Sequence, residues 1–242
     1  MGLERRRPAH HSAGARRVHP MAPRLLHERK QLQFALMTTS AAAFVRERID
    51  ALPERSFVRV RDLEQGGDIS TRAVEVAISR LAHAGVVSPI RKGLYWKGRQ
   101  TPTGMLPPTP AEIGVAVGGP GSGPSDLAAV KFLGLTTQVP VKMDMAVPGR
   151  APADVPGIEF HSRPYTRALR GLKPVEVAVL EVLRMWPSGV EEDWDALRDR
   201  VADLATKGIV RTEHVSAAVA DERTPAVRRL WKQLVGTLAE AR

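Results

Sequence analysis

The stretch STRAVEVAISRLAHAGVVSPIRKGLYWK, from Ser70 to Lys97, decides how the rest of the chain is read. Ser70 or Thr71 can accept hydrogen bonds from the free N–H groups of a first helical turn, so a helix opens there. Val74, Ile78 and Leu81 recur at spacings of four and three, with Ala77 beside them, which predicts one apolar stripe. Thr71, Arg72, Glu75, Ser79, Arg80 and His83 occupy the other face. Ala84-Gly85 ends the helix, because glycine tolerates the left-handed conformation past a helix terminus. Val86-Val87, a turn around Arg91-Lys92-Gly93, and Leu94-Tyr95-Trp96 then predict a β-hairpin with a basic tip.

A capped helix followed by a hairpin with cations at its tip matches the winged half of a winged helix-turn-helix. Its helix fits a DNA major groove and its wing reaches a neighbouring groove or the phosphates. The same pieces also describe a helix packed on a hairpin in an α+β core, with solvated charges. The residues upstream favour the first reading. Ser40 can cap a helix over Ala41–Leu52, with Phe44, Val45, Ile49 and Leu52 on one side and Pro53 as its stop. Phe57-Val58-Arg59-Val60 reads as a strand able to join the wing sheet, Arg61–Glu64 as a short helix, and Gln65–Asp68 as a turn.

On that order Thr71, Arg72, Glu75, Val76 and Ser79 would face the groove, with Arg72 best suited to guanine edges. Ser70, at a helix N-terminus, suits a phosphate. Arg80, Arg91 and Lys92 would meet phosphates. For each of these the plain alternative is a solvated surface residue. Tyr95 and Trp96 are expected to pack within the wing sheet rather than stack on bases.

The charge distribution agrees. Residues 1–36 hold eight Lys/Arg against Glu4 and Glu28, residues 37–100 hold eleven against seven, and residues 101–242 hold seventeen of each. The net charge of +10 therefore lies wholly in the first hundred residues, which implies an anionic partner there. The chain has no cysteine, so disulfides, thiol catalysis and thiolate zinc sites are excluded. Neither a membrane-spanning apolar run nor a secretory signal is evident, and a cytoplasmic location is expected. Residues 1–36, rich in Arg, Pro and His, read as a disordered basic tail able to track phosphates, or as an extension ahead of a start at Met37. Their histidines lack a ligand spacing.

Residues 98–126 read as a Pro/Gly-rich linker, in which Thr109-Pro110 could open a short helix through Val117. The run GGPGSGPSD, Gly118 to Asp126, lacks the Lys-Ser/Thr of a P-loop and is read as a loop. Ser125 or Asp126 can cap a helix over Leu127–Leu133 that Gly134 ends; strands follow at Val141–Val147 and Ile158–Ser162, joined by the turn-rich Gly149–Pro156.

Residues 41–186 resemble the AbiEi-type antitoxins of type IV toxin–antitoxin systems. The matching pieces are SRLAHAGVVSPIRKGLYW, LPPTPAEI, GPSDLAAVKFLGLTTQVPVKMDMAVPG and GIEFHSRPYTRAL. The Gly-rich loop and the basic N-terminal tail depart from the family pattern. The resemblance implies a protein that binds its own promoter, represses its operon, and counters a nucleotidyltransferase-like toxin through its C-terminal region without a stable complex.

Beyond Thr166–Leu172 the sequence turns helical. Pro174 opens an amphipathic helix carrying Val175, Val179, Val182, Leu183 and Trp186, which Pro187-Ser188-Gly189 ends. Trp194, Leu197, Val201 and Leu204 stripe a second, Glu213–Ala220 form a third, and Val227, Leu230, Trp231, Leu234 and Leu238 stripe the last. The acidic run Glu191-Glu192-Asp193-Asp195 suits the positive end of a helix.

A metal-dependent nuclease would need clustered carboxylates with a lysine. Asp144 and Glu159 lie on the candidate strands, but position 161 is histidine and no lysine follows before Lys173. Glu159 and His161, on one strand face, are the remaining acid–base candidates. The expectation is a non-enzyme of α+β class without metal or cofactor. It has a winged helix-turn-helix domain over 40–97 and an antitoxin-type C-terminal domain, a small sheet with helices, over 127–242. Its expected partners are double-stranded DNA and, as antagonist, the toxin, with a homo-oligomer on DNA possible and no membrane. The alternative is a stand-alone transcriptional regulator whose C-terminal domain dimerises.

Overall fold

The computed structural model describes residues 41–65, 69–153 and 155–240. The expected tail over 1–36, the Ser40 cap, residues 66–68 of the Gln65–Asp68 turn and the side chain of Leu238 lie outside the described residues. The architecture is mixed α+β, with small sheets and several helices. Among the described residues no helix is long and apolar enough to cross a membrane.

The first unit begins with helix α1 (41–51), which buries Val45 and Ile49. Its C-terminal carbonyls are held by Lys97, whose Nζ donates to Ile49 O at 2.7 Å, Asp50 O at 3.0 Å and Leu52 O at 2.5 Å. An ammonium on the negative end of a helix satisfies acceptors that have no intrahelical donor. Strand β1 (Ser56–Arg59) and the short helix α2 (Val60–Glu64) follow. Val60, expected in the strand, opens the helix and buries its side chain instead.

Helix α3 (Thr71–His83) has Ser70 as its cap, the hydroxyl accepting from Ala73 N–H at 3.4 Å. Val74, Ala77 and Ile78 are buried, and Leu81 lies at the margin. Strands β2 (Ser88–Arg91) and β3 (Leu94–Lys97) form the hairpin, and β1 joins it on the far side of β3, giving the antiparallel order β1-β3-β2. Val86 and Val87 precede the strand rather than forming it: the ladder begins at Ser88, and Val87 points into the core. Arg91 pairs with Leu94, so the turn is the two residues Lys92-Gly93, with Gly93 at φ 76°. That φ suits glycine in a two-residue hairpin turn. Trp96 is buried against Phe57, with ring centroids 4.7 Å apart, and its indole N–H donates to Leu106 O.

The segment expected as a linker is largely built structure. It holds a small hairpin, β4 (Gln100–Thr101) and β5 (Gly104–Met105), and helix α4 (Pro110–Gly118). It also holds β6 (Gly123–Pro124) and the first residue of α5 (Asp126–Leu133). The hydroxyl of Thr109 accepts from Glu112 N–H and the Glu112 carboxylate from Thr109 N–H, a capping box that starts α4 at the expected Thr-Pro. The glycines nearby serve close packing. A Cβ on Gly121 would lie 2.6 Å from Ala168 N, and one on Gly123 2.5 Å from Pro174 O. A run read as loop is thus the point where β6 meets two helices.

The second sheet has the order β6-β7-β8, with β7 (Met143–Pro148) antiparallel to β6 and parallel to β8 (Ile158–Arg163). Met145, Val147, Ile158 and Phe160 face α4. Ala146 faces α5 and α7 (Pro174–Met185). After the short α6 (Thr166–Leu169) come α7, α8 (Trp194–Thr206), α9 (Thr212–Ala220) and α10 (Pro225–Glu240), which share one apolar core. Helix α7 departs from the amphipathic expectation: every residue from Glu176 to Leu183 is buried. Its polar positions are not solvated but ion-paired inside the protein.

Candidate nucleic-acid interface

Helix α3 turns two stripes outward. Thr71 and Glu75 lie on one; Arg72, Val76, Ser79 and His83, at spacings of four, three and four, lie on the next, with Arg80 beside them. Thr71, Arg72, Glu75, Arg80 and His83 are exposed, and Val76 and Ser79 are half-buried. His83 Nδ1 lies 2.7 Å from Ser79 O, which ties the last turn to its own helix. Ser70 is exposed, but its hydroxyl already accepts a helix N–H.

The hairpin tip comes back beside the start of this helix. Thr71 and Glu75 share an open groove of about 430 Å³ with Arg91 and Lys92 from the tip. Arg59, Arg61 and Glu64, from β1 and α2, complete its polar lining. The structure thus brings four of the expected residues together in one concavity. Ser70, Arg72, Val76, Ser79 and Arg80 do not line it, and lie along the adjoining face of α3.

Arg59 and Arg61 were not singled out in the sequence, where they read as ordinary charges flanking a short strand. Only pairing of β1 with β3 carries them to the hairpin tip, through the register Arg59↔Leu94. Their environments differ from those of the tip cations. Arg59 donates through Nη2 to Ala116 O of α4, and Arg61 Nε lies 3.5 Å from Asp62 Oδ1. Arg72, Arg80, Arg91 and Lys92 have no carboxylate partner among the described residues. Surface cations without acidic partners are the groups best placed to neutralise phosphates.

The groove is walled on one side by Val117 and Pro152 of the second unit. Two contacts fix that arrangement: the Arg59–Ala116 hydrogen bond and an ion pair of Arg55 Nη2 with Glu112 Oε1 at 2.5 Å. Glu112 sits below the ordinary carboxylate range: its partial burial opposes this, but the Thr109 N–H and hydroxyl and the Arg55 guanidinium outweigh it.

No family model and no curated protein matches this chain. The chain is similar to the RV2827C protein from Mycobacterium tuberculosis, known from a crystal structure, at 16% identity and a TM-score of 0.43. The similarity covers 82% of this chain and 77% of that one.

The acid–base candidates Glu159 and His161 share one face of β8, as expected, but have separate partners. Glu159 pairs with Lys142 at 3.4 Å, while His161 donates from Nε2 to Asp144 Oδ1 at 2.9 Å and lies 3.6 Å from Asp126 Oδ2. The parallel register sets Asp144 opposite Glu159 and His161 opposite Ala146, so His161 leans across to the neighbouring strand. Glu191 also departs from its expected role at a helix start. Its carboxylate accepts from the N–H of Thr137 at 2.6 Å and the hydroxyl at 3.0 Å, tethering the GLTTQVP segment. Asp193 caps α8, accepting from Ala196 N–H at 2.9 Å.

Proposed function

We propose that this chain is a sequence-specific DNA-binding protein that represses its own operon and acts as the antitoxin of a type IV system. The observation that carries the DNA reading is the placement of unpaired cations. Arg72 and Arg80 stand on the exposed face of α3, and Arg91 and Lys92 on the hairpin tip beside its N-terminus. Helix, strand, helix, helix and a two-stranded hairpin is the order of a winged helix. In that reading α3 is the recognition helix, Arg72 reads a base edge, and Arg91 and Lys92 hold phosphates. Arg59 and Arg61 extend the cationic surface toward the wing. The antitoxin part rests on the AbiEi-type resemblance over 41–186, and the non-enzymatic reading goes with it.

A mobility-shift titration against the chain's own upstream duplex and a random duplex tests the proposal. The expected result is preference for the upstream duplex that Arg72→Ala weakens by ~1–3 kcal/mol. Equal affinity for both duplexes would sink autoregulation. For the antitoxin part, co-expression with a neighbouring nucleotidyltransferase-like protein should restore growth, and failure of rescue by the full chain would reject it.

A further inference from the structure

A second pocket, remote in the chain from α3, has a composition the DNA reading does not use. It has a volume of about 400 Å³ and is lined by Arg163, Arg184 and Arg223, with Tyr165 and Gly149 at its rim and no carboxylate in its wall. The acids lie beneath. Glu181 and Glu222 are each 1% exposed and hold the guanidinium groups from behind.

Arg163 grips Glu181 through Nε at 2.9 Å and Nη2 at 2.6 Å, and Arg184 holds Glu222 through Nη2 and Thr224 Oγ1 through Nη1 at 2.6 Å. Arg167 bridges the two glutamates, 2.7 Å from each. Three guanidinium groups (Arg163, Arg167, Arg184) against two carboxylates leave a surplus of one positive charge. Arg223 adds a second, since it is exposed and has no ion pair among the described residues. Arg167 Nη2 is buried without a hydrogen-bond partner, and Arg184 Nε, also without one, lies 3.5 Å from Glu181 Oε1. Tyr165 stands 62% exposed at the rim. Gly149, which takes φ 79° at the end of β7, lies beside the Tyr165 ring.

Guanidinium forks fixed by buried carboxylates are pre-organised for an oxyanion; Arg163 Nη1, which donates to Ser162 O at 3.1 Å, and the exposed Arg223 belong to the pocket wall. An exposed aromatic ring beside them is a stacking surface. We propose that this pocket binds a mononucleotide, its phosphate on Arg163, Arg184 and Arg223 and its base on Tyr165. The proposal goes beyond the DNA reading and does not depend on it.

The test is calorimetric titration of the full chain with 5′-AMP and 5′-GMP, alongside adenosine, inorganic phosphate and a random DNA duplex. Arg223→Gln and Tyr165→Leu are made because both side chains are exposed and outside the buried network, so the fold is retained. Saturable binding of one mononucleotide per chain is expected, weakened about tenfold or more by Arg223→Gln, the worth of a charge-assisted hydrogen bond. Tyr165→Leu should weaken the nucleotide about fivefold or more and leave inorganic phosphate unchanged. Arg72→Ala, which tests the interface on α3, should leave nucleotide binding unaltered. Absence of saturable binding, or binding that Arg223→Gln leaves intact, overturns the proposal. So does a random duplex that depends on Arg223 while both nucleotides fail to bind, because the phosphate source is then a nucleic-acid backbone.

Discussion

The two halves of the molecule use arginine in opposite ways. In the unit built from α1 to β3 the core is wholly apolar, and Arg72, Arg80, Arg91 and Lys92 stand outside it with no acidic partner among the described residues. In the unit around α7, Arg163, Arg167, Arg184 and Arg211 turn inward and hold Glu176, Glu181 and Glu222 in the interior. A cation the fold does not need is available to a partner, whereas one that neutralises a buried carboxylate is committed. Net charge alone misses the distinction, because residues 101–242 balance to zero while carrying twelve arginines.

Substitutions that separate folding from binding sharpen that contrast. The largest effect is expected from Glu181→Ala, which strips Arg163 and Arg167 of their shared carboxylate inside the protein. Breaking a buried pair from one side costs ~3–5 kcal/mol, read as a fall in the urea midpoint. Arg91→Ala and Arg72→Ala should change stability by under about 0.5 kcal/mol. Equal losses in the two units would break the comparison.

Acid should come next and act on the same groups. For Glu181 and Glu176 burial favours the neutral acid, yet both stay below the ordinary carboxylate range. For Glu181 the Arg163 hydrogen bond and the Arg167 charge outweigh the burial, and for Glu176 the Arg211 guanidinium and the Lys173 N–H do so. A folded value below the unfolded one contributes stability that is present above the unfolded value and lost as pH falls through the folded one. The expected outcome is a flat stability profile from about pH 6 to 8 and a decline that begins below about pH 4.5, monitored by tryptophan fluorescence. Stability that rises on acidification would show that these carboxylates are not what holds the second unit.

The smallest effect belongs to the hairpin tip. Arg91→Ala with Lys92→Ala should weaken the upstream and random duplexes alike and lower the slope of log affinity against log salt by about 2, since each residue neutralises one phosphate. A loss confined to the upstream duplex would make the tip a reader of sequence.

The first unit was legible because its cues are local. The Ser70 cap, the Val74–Ile78 stripe and Gly93 in the turn each act within a few residues, and each stands where the spacing placed it. The strand starts were less so: β2 begins at Ser88 rather than Val86, because two apolar residues needed by the core read like a strand. The linker reading failed for the opposite reason. Gly121 and Gly123 look like flexibility, but their missing side chains make room for Ala168 and Pro174, which are far along the chain.

By itself the sequence determined the α+β class, the order of elements through β3, the apolar faces that build the cores, and the confinement of excess positive charge to the first hundred residues. These follow from periodicity, capping and composition, which are properties of neighbouring residues. Only the tertiary structure decided that α7 is buried on every side, that Arg59 and Arg61 join the groove at the hairpin tip, and that Arg163, Arg184 and Arg223 converge beside Tyr165. A charge reads the same in sequence whether it faces water or a carboxylate; strand pairing and helix packing choose between them.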